Sequence, residues 1–304
     1  MGKLAAAAAF ALLFPYAVTL AWTGSVEGEK NDPEAGEERR ILLDRGDTPA
    51  YMGLEDYLPG VLAVQIPADR EMEALKAQAV IARTYICSRM GEEREIPESA
   101  LDLDYLDSGQ LAELWGDQAA EYYGRLEQAA EETAGTVITW EGELIEPLFH
   151  RVSAGSTRSG GEGYPYLEAA ECPEDRLADG YLQAVPFSRE EFAERIREIP
   201  ESGEVSAGDL PQGIQILRAD GAGYVEEIQI GTGSYTGEEV QYALNLASPS
   251  FAVEEYDGGL RVITRGVGHG YGLSQQEAER MAENGSSAEE ILQYFYKNIS
   301  LNSV

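Results

Sequence analysis

The stretch AVQIPADREMEALKAQAVIARTYI, from Ala63 to Ile86, decides the fold of this chain. Its first part is an apolar run, predicted to be extended, that ends at Gln65 and Pro67. A helix is predicted after Pro67, because apolar side chains then recur at helical spacing. Asp69 is its expected N-cap, and Gly91 its expected end. A neutral amide therefore stands at the junction of two buried elements, and the question is whether chemistry happens there.

Composition limits the class of protein. The 304 residues include 55 Asp and Glu against 22 Lys and Arg, which gives a formal net charge of −33. Nucleic-acid binding needs clustered cations, and the sequence has no basic run. Composition therefore excludes nucleic acid as a partner, and it says nothing about the fold.

The N-terminus predicts the compartment. Lys3 precedes the nearly uncharged segment Leu4–Trp22, and at 1.5 Å per residue such a helix crosses a bilayer core of about 30 Å. Trp22 suits the membrane interface, and no A-x-A-like cleavage site ends the segment. Residues 1–22 are therefore predicted to be a single-pass anchor of the cytoplasmic membrane, with the remainder on the extracytoplasmic side. A cleaved signal peptide and secretion is the alternative.

The remainder is predicted to be one α+β domain. Residues 23–48 are charged, lack apolar periodicity and are expected to be a flexible linker, so that the domain covers residues 49–304. Helical and strand patterns are partly segregated along the chain, which favours an α+β class over an alternating one. Serines followed by Glu three residues later predict three helix starts, at Ser188, Ser274 and Ser286. Cys87 and Cys172 are either a disulfide or two buried thiols.

Both histidines of the chain lie among glycines and hydroxyl side chains. His150 is in EPLFHRVSAGSTRSGGEG, and His269 is in RGVGHGYGLSQQEAERMA. Glycine lets the backbone approach a ligand closely, and the nearby Ser, Thr and Gln side chains suit sugars or amides. The two segments are therefore expected to share a cleft. The spacings match neither a phosphate loop, nor a zinc site, nor a nucleophile elbow.

Three separated segments together resemble the stage II sporulation protein D (SpoIID)/LytB domain family. They are DYLPGVLAVQIPADREMEALKAQAVIARTYI, then FHRVSAGSTRSG with YPYL, and finally GVGHGYGLSQQEAERMAENGSSAEEILQYFY. They stand in the family's order, and the likeness covers Tyr51 to Lys297. The resemblance implies a membrane-anchored cell-wall protein that acts on peptidoglycan glycan strands stripped of their stem peptides. Its implied partners are a cell-wall amidase and a membrane scaffold protein, during engulfment in sporulation.

The chemistry that the resemblance implies is lytic transglycosylation, and the LytB branch is known as an amidase enhancer. In the family pattern a glutamate acts as general acid where this chain has Gln65. An amide donates a hydrogen bond but delivers no proton. The chain also has Gln241 where the family usually has Arg. Glu277 is the most obvious substitute acid, although a capping box already explains it, and Glu73 is better explained as a first-turn acid.

Three hypotheses follow from these departures. The chain is an active transglycosylase with a substitute acid, a glycan-binding module without a catalyst, or a scaffold that stimulates an amidase. No cofactor and no metal are expected. The expected site consists of Gln65 at the acid position together with a set of binding residues. These are Arg83, Tyr85, His150, Ser153, Gly155, Ser156, Thr157, His269, Ser274 and Gln275.

Overall fold

A computed structural model of the protein describes residues 39–45, 49–200 and 203–304. The predicted anchor, Leu4–Trp22, lies outside these residues. Within them, no helix is both long and apolar enough to cross a membrane. Arg39 to Val304 form one compact unit.

Two helices that meet near Gln65 organise the first part of the unit. Helix α1 spans Leu54–Gln65 and helix α2 spans Met72–Met90. The expectation of an extended run before Pro67 is wrong, because those residues form α1. A short apolar run does not distinguish a strand from a buried helix, which explains the error. Helix α2 is confirmed, although it begins after Glu71 and not after Asp69.

The predicted linker overlaps the folded unit at its C-terminal end. Strand β1 (Arg40–Leu43) pairs antiparallel with β2 (Ala50–Gly53) and parallel with β3 (Glu95–Pro97). Ile41 in β1 is fully buried against the first hydrophobic core, which α1 and α2 also line. Four residues assigned to the linker therefore form the central strand of this sheet. The sequence does not predict this strand, because one buried apolar side chain is too weak a signal.

The other elements mix helices and strands. The remaining helices are α3 Ser108–Trp115, α4 Ala119–Glu132, α5 Arg189–Arg197, α6 Gly237–Leu244, α7 Gln275–Glu283 and α8 Ala288–Phe295. The remaining strands are β4 Thr136–Trp140, β5 Glu143–Leu144, β6 Phe149–His150, β7 Leu182–Phe187, β8 Ile214–Ala219, β9 Val225–Ile230, β10 Gly233–Tyr235, β11 Phe251–Tyr256, β12 Gly259–Arg265, β13 Leu273–Ser274 and β14 Ile299–Ser303. This mixture confirms the α+β class for the described residues.

Small sheets, antiparallel except for the β1–β3 pair, build most of the fold. Their strand orders are β2-β1-β3, β14-β4-β5, β11-β12-β7 and β10-β9-β8. The last two sheets pack with α5 and α6 around a second core, which includes Phe192, Val240 and Val262. A third core lies between α2, α7, α8 and β4. Because α2 contributes to the first and third cores, it is buried around most of its circumference.

One parallel strand pair positions the histidine segments. Strand β6 pairs with β13, so that Phe149 lies opposite Leu273 and His150 lies opposite Ser274. Two segments more than a hundred residues apart in sequence are thereby placed side by side. This pairing brings the second and third family-like segments together.

The predicted helix caps are largely confirmed. Ser188 and Ser274 accept hydrogen bonds from the backbone N–H of the residue three positions on. The third cap is Ser287 with Glu290, one residue later than predicted, because consecutive Ser and Glu pairs fit either register. Cys87 and Cys172 are both buried and unpaired. The thiol alternative therefore holds for the two cysteines.

Candidate functional site

Three glutamines from three helices form a hydrogen-bonded cluster at the end of α1. The Gln65 Oε1 accepts a hydrogen bond of 2.9 Å from Gln78 Nε2, on α2. Gln275, the first residue of α7, donates from Nε2 to the backbone oxygen of Gln65 at 2.8 Å and to Gln78 Oε1 at 3.1 Å. Gln65 therefore acts in this cluster only as an acceptor, and its side-chain NH₂ group makes no hydrogen bond to the described residues.

Gln65 lines a cavity of about 220 Å³. The walls are mostly apolar, and the polar side chains in them belong to Gln65, Tyr85, Glu146 and His269. Tyr85 is fixed, because its hydroxyl donates to the Leu101 backbone oxygen at 2.9 Å. Apolar walls with a few fixed polar groups are typical of small-molecule and sugar sites. The cavity brings together three of the predicted site residues.

His269 reaches this cavity on a glycine-rich loop. Gly268 and Gly270 on either side have φ values of +107° and +84°, which side-chain-bearing residues rarely adopt. A Cβ at Gly268 would also lie 2.8 Å from the Cβ of His150. His269 Nδ1 accepts a hydrogen bond from the Tyr271 backbone N–H at 3.0 Å. The glycines thus allow a histidine to lie where a bulkier loop would not fit.

His150 lies beneath His269 and is buried. The two rings are 5.9 Å apart, and His150 Nδ1 lies 3.1 Å from the Tyr271 backbone oxygen. Burial, followed by the nearby His269, lowers the pKa of His150 to about 3. Burial and the nearby Arg158 also lower the pKa of His269. Both histidines are therefore neutral at pH 7, and neither is an imidazolium ion that could act as a general acid.

Arg83 does not line the cavity. Its guanidinium is fully buried and makes two hydrogen bonds to the Glu55 carboxylate, from Nε at 2.8 Å and from Nη2 at 2.5 Å. Further bonds to the backbone oxygens of Ala130 and Thr136 and to the Thr133 hydroxyl oxygen use its remaining donors. This ion pair, between a fully buried Arg83 and a half-buried Glu55, joins α1, α2 and α4. The Arg83 guanidinium therefore has a structural role.

The serines around Asp175 are also used within the protein. Asp175 Oδ2 accepts from the Ser153 backbone N–H and from the Ser274 hydroxyl, both at 2.7 Å. The Ser153 hydroxyl accepts from the backbone N–H of Gly155 at 3.1 Å. Burial raises the pKa of Asp175, although these hydrogen bonds oppose the shift. Ser153, Gly155 and Ser274 therefore hold the His150 loop against α7 and do not face a ligand.

The side chains of Ser156 and Thr157 bind the same loop to the backbone of Ala170. The Ser156 hydroxyl donates to the Ala170 backbone oxygen at 3.1 Å, and Thr157 Oγ1 accepts from the Ala170 N–H at 2.9 Å. Thr157 is buried, and Ser156 is half-buried. Their hydroxyls add to the main-chain bonds at this point, where the Thr157 N–H also donates to the Ala170 backbone oxygen at 2.8 Å. This is a local role.

Neither substitute acid named from the sequence lines the cavity of Gln65. Glu73 forms an ion pair with Lys76 at 2.7 Å, and its Oε2 accepts from the Ala288 N–H at 2.8 Å, at the start of α8. Burial would raise the pKa of Glu73, but Lys76 and the Ala288 N–H lower it overall. Glu277 follows the Ser274 cap, and burial raises the pKa of its carboxyl. Glu73 therefore serves the start of α8, whereas the Glu277 Oε2 atom is buried and has no hydrogen-bond partner among the described residues.

The carboxylate that does line the cavity is Glu146, which the sequence analysis did not single out. It lies in the turn between β5 and β6, is exposed, and accepts a hydrogen bond from the Tyr164 hydroxyl at 3.2 Å. Its signal in the sequence was a single acid inside the apolar stretch LIEPLF. An acid between apolar residues does not by itself indicate a binding site.

Metal binding has no support in the described part of the chain. Across residues 39–45, 49–200 and 203–304, no group of three or more His, Cys, Asp or Glu side chains could hold a metal ion. The polar groups that face the cavity are one amide, a phenol, a neutral imidazole and one carboxylate. Such a set can bind sugars by hydrogen bonds, and Glu146 supplies its one carboxyl group.

Comparison with known proteins identifies the family. The family described as Stage II sporulation protein, SpoIID, matches residues 46–140. Stage II sporulation protein D of Bacillus amyloliquefaciens is 30% identical over 262 residues, which cover 82% of this chain and 74% of the relative. The protein of the same name in Bacillus subtilis (strain 168) is 30% identical over 265 residues, with the same coverage.

A more distant relative bears a different name. The Amidase enhancer of Bacillus subtilis (strain 168) is 24% identical over 300 residues, which cover 81% of this chain and 40% of the relative. The matched SpoIID region, residues 46–140, contains Gln65 and Gln78, while the two sporulation relatives extend the likeness across most of the chain. The chain therefore belongs to the SpoIID family of stage II sporulation proteins.

Proposed function

We propose that the protein binds peptidoglycan glycan strands without stem peptides in the cavity around Gln65, and that it does not cleave them efficiently. The observation that supports this most is the amide at Gln65, held by Gln78 and Gln275 at the position that the family resemblance assigns to the general acid. The role that follows is a cell-wall role in sporulation, in which strand binding replaces strand cleavage.

The chemical reason is the absence of a proton to transfer from Gln65. Lytic transglycosylation protonates the glycosidic oxygen while the 6-hydroxyl of the sugar attacks the anomeric carbon. Loss of a general acid costs about 10²–10⁴-fold in rate. An amide donates a hydrogen bond to the same oxygen without transferring a proton. The neutral His269 does not replace the acid, because its pKa is lowered.

The remaining groups in the cavity suit a neutral sugar ring. Gln65 offers an NH₂ group, Tyr85 an aromatic ring, and Leu148 and Phe149 apolar surface. Sugars combine hydroxyls with apolar C–H faces, and a cavity with both kinds of wall matches them. Binding in this way needs no titratable group of the protein.

A second candidate function is cleavage with Glu146 as the acid. It is favoured by one observation, that the Glu146 carboxyl lines the same cavity as Gln65. A carboxylic acid in a mostly apolar cavity can act first as acid and then as base. Under this alternative, Glu146→Gln abolishes cleavage and leaves strand binding intact.

Partners and location form part of the same proposal. The Amidase enhancer relative suggests an amidase as a partner, and an amidase would supply strands without peptides. We further propose that Leu4–Trp22 anchors the protein in the cytoplasmic membrane, with the folded unit outside and a membrane scaffold protein beside it. In intact protoplasts, added protease should then degrade the folded unit. Protection of the unit would contradict this placement.

Binding and cleavage are separated by one experiment on the purified full-length protein. The protein is incubated with peptide-free glycan strands, and bound strands and 1,6-anhydro products are measured, the products by mass spectrometry. We expect binding without products. Gln65→Leu should weaken binding, whereas Gln241→Leu, the same change on α6, should not. Products from the unchanged protein that disappear in Glu146→Gln would establish the second candidate, and absence of binding would leave only the amidase-partner role.

A further inference from the structure

A second, polar cavity of about 390 Å³ lies next to the one around Gln65. Arg70, Arg151, Gln275 and Gln276 line it, together with Pro67 and Asp179. Gln275 joins the two sites, because the same side chain lines the polar cavity and donates to the Gln65 backbone oxygen at 2.8 Å. The two cavities therefore lie close enough together for neighbouring sugars of one polymer to be considered as their ligands.

The polar cavity holds two cations whose charge is not fully neutralised. Arg151 is exposed, and within residues 39–45, 49–200 and 203–304 no carboxylate lies within ion-pair distance of it. Arg70 Nη1 is 3.9 Å from Glu279, beyond hydrogen-bond distance, and its Nη2 makes a 3.4 Å bond to the neutral Gln276 Oε1. The one carboxylate in the wall is Asp179, which is exposed.

Two arginines in one concave surface stand out in a chain of net charge −33. Distant acids are screened beyond about 8 Å at physiological salt, so the local arginines determine which ligand charge is favoured. The guanidinium group forms two parallel hydrogen bonds to a carboxylate, which gives it geometric selectivity as well as charge. Arg151 is also positioned by its backbone, since its oxygen accepts from the Gln276 N–H at 3.1 Å.

We propose that this cavity binds a carboxylate of the ligand, and that the carboxylate is the lactyl group of a muramic acid residue without its stem peptide. The inference rests on the proposed function. In an intact strand the lactyl carbonyl is bonded to the peptide nitrogen as a neutral amide. Hydrolysis of that amide by an amidase adds water, releases the peptide amine and leaves a free carboxylate. Arg70 and Arg151 thus distinguish stripped strands from peptide-bearing ones by the charge at the lactyl position.

The test compares three ligands that differ at the lactyl position. Peptide-free strands contain the lactyl carboxylate, peptide-bearing strands contain the amide, and N-acetylglucosamine oligomers lack the lactyl group. Binding by the full-length protein is measured for each ligand at low and at physiological salt. The variants are Arg151→Gln and Arg70→Gln, with Arg151→Lys as the conservative change. Arg218→Gln, on the exposed face of β8, is the control for an equal change of net charge.

We expect Arg151→Gln to weaken binding of peptide-free strands by roughly 10-fold to 100-fold and to leave N-acetylglucosamine oligomers unaffected. Arg151→Lys should restore part of the loss, and Arg218→Gln should change nothing. Equal affinity of the Arg151→Gln and unchanged proteins for peptide-free strands would overturn the carboxylate site while leaving the proposed function intact. Failure of the unchanged protein to bind any of the three ligands would instead overturn both.

Discussion

Gln65→Glu is the change that should restore cleavage. It exchanges one nitrogen for one oxygen with almost no change in volume. The oxygen that accepts from Gln78 Nε2 at 2.9 Å can keep that bond, and the second oxygen takes the place of the free NH₂ group in the cavity. A proton on that oxygen is then available to a glycosidic oxygen bound there.

The expected magnitude follows from the surroundings of the new carboxyl. The mostly apolar walls and the nearby Glu146 raise its pKa above the ordinary value of about 4.3, and the Gln78 N–H group opposes the shift. General acid catalysis typically contributes about 10²–10⁴-fold, so we expect cleavage to rise at least about tenfold. Because the acid form acts, the rate should fall as pH rises through the pKa of the new group, about tenfold per unit above it.

The assay measures 1,6-anhydro products from peptide-free strands between about pH 5 and about pH 8. Gln241→Glu, the same exchange on α6 away from this cavity, is the matched control and should produce no cleavage. Bound but uncleaved strands with Gln65→Glu would refute the reasoning, since the cavity would then lack more than its acid. A rise that does not depend on pH would also refute the assigned role.

Three other changes test the account. The His150 pKa of about 3 predicts that its contribution to stability is complete above about pH 6.5 and is lost on acidification, by up to ~1.4 kcal/mol per pH unit. The free energy of unfolding of His150→Asn in urea should therefore depend less on pH below about pH 6.5 than that of the unchanged protein. An equal pH dependence of the two proteins would contradict the buried neutral ring. Gly268→Ala should lower the free energy of unfolding by about 1–3 kcal/mol and reduce strand binding, because φ is +107° and the new Cβ would meet His150. The control is Gly285→Ala, where φ is +89° and the space around the new Cβ is open. It should lower the free energy of unfolding by less and leave strand binding unchanged. Glu73→Gln should lower the free energy of unfolding by about 1 kcal/mol, because it weakens the bond to the Ala288 N–H at the start of α8. Strand binding and the cleavage gained by Gln65→Glu should not change. Loss of that gained cleavage would instead make Glu73 a catalytic acid.

Local patterns predicted much of the fold. Helix α2 and the caps at Ser188 and Ser274 follow from the spacing of residues that are close together in sequence. Strand β1 and helix α1 did not follow, since a short apolar segment takes the form that its tertiary contacts select. The elements that are determined by neighbouring residues were therefore predicted, and the elements that are determined by contacts between distant parts of the chain were not.

The candidate site shows the same division. The resemblance named Gln65 and the two histidine loops, but Arg83 was misplaced because its partner Glu55 lies 28 residues away in sequence. Polar residues in a family motif are expected in a cleft, yet a motif also preserves the hydrogen bonds that shape it. Glu146 was missed for the opposite reason, since its apolar flanks concealed an exposed turn.

The most direct measurement follows the side-chain amide resonances of Gln65 while peptide-free glycan strands are added to the unchanged full-length protein. The resonance is assigned by its absence in Gln65→Leu. We predict that it shifts in a saturable way while the strands remain uncleaved, because the free NH₂ group faces the bound sugar. Strand binding that leaves this resonance unchanged, or cleavage of the strands during the titration, would contradict the claim that Gln65 holds a glycan without cutting it.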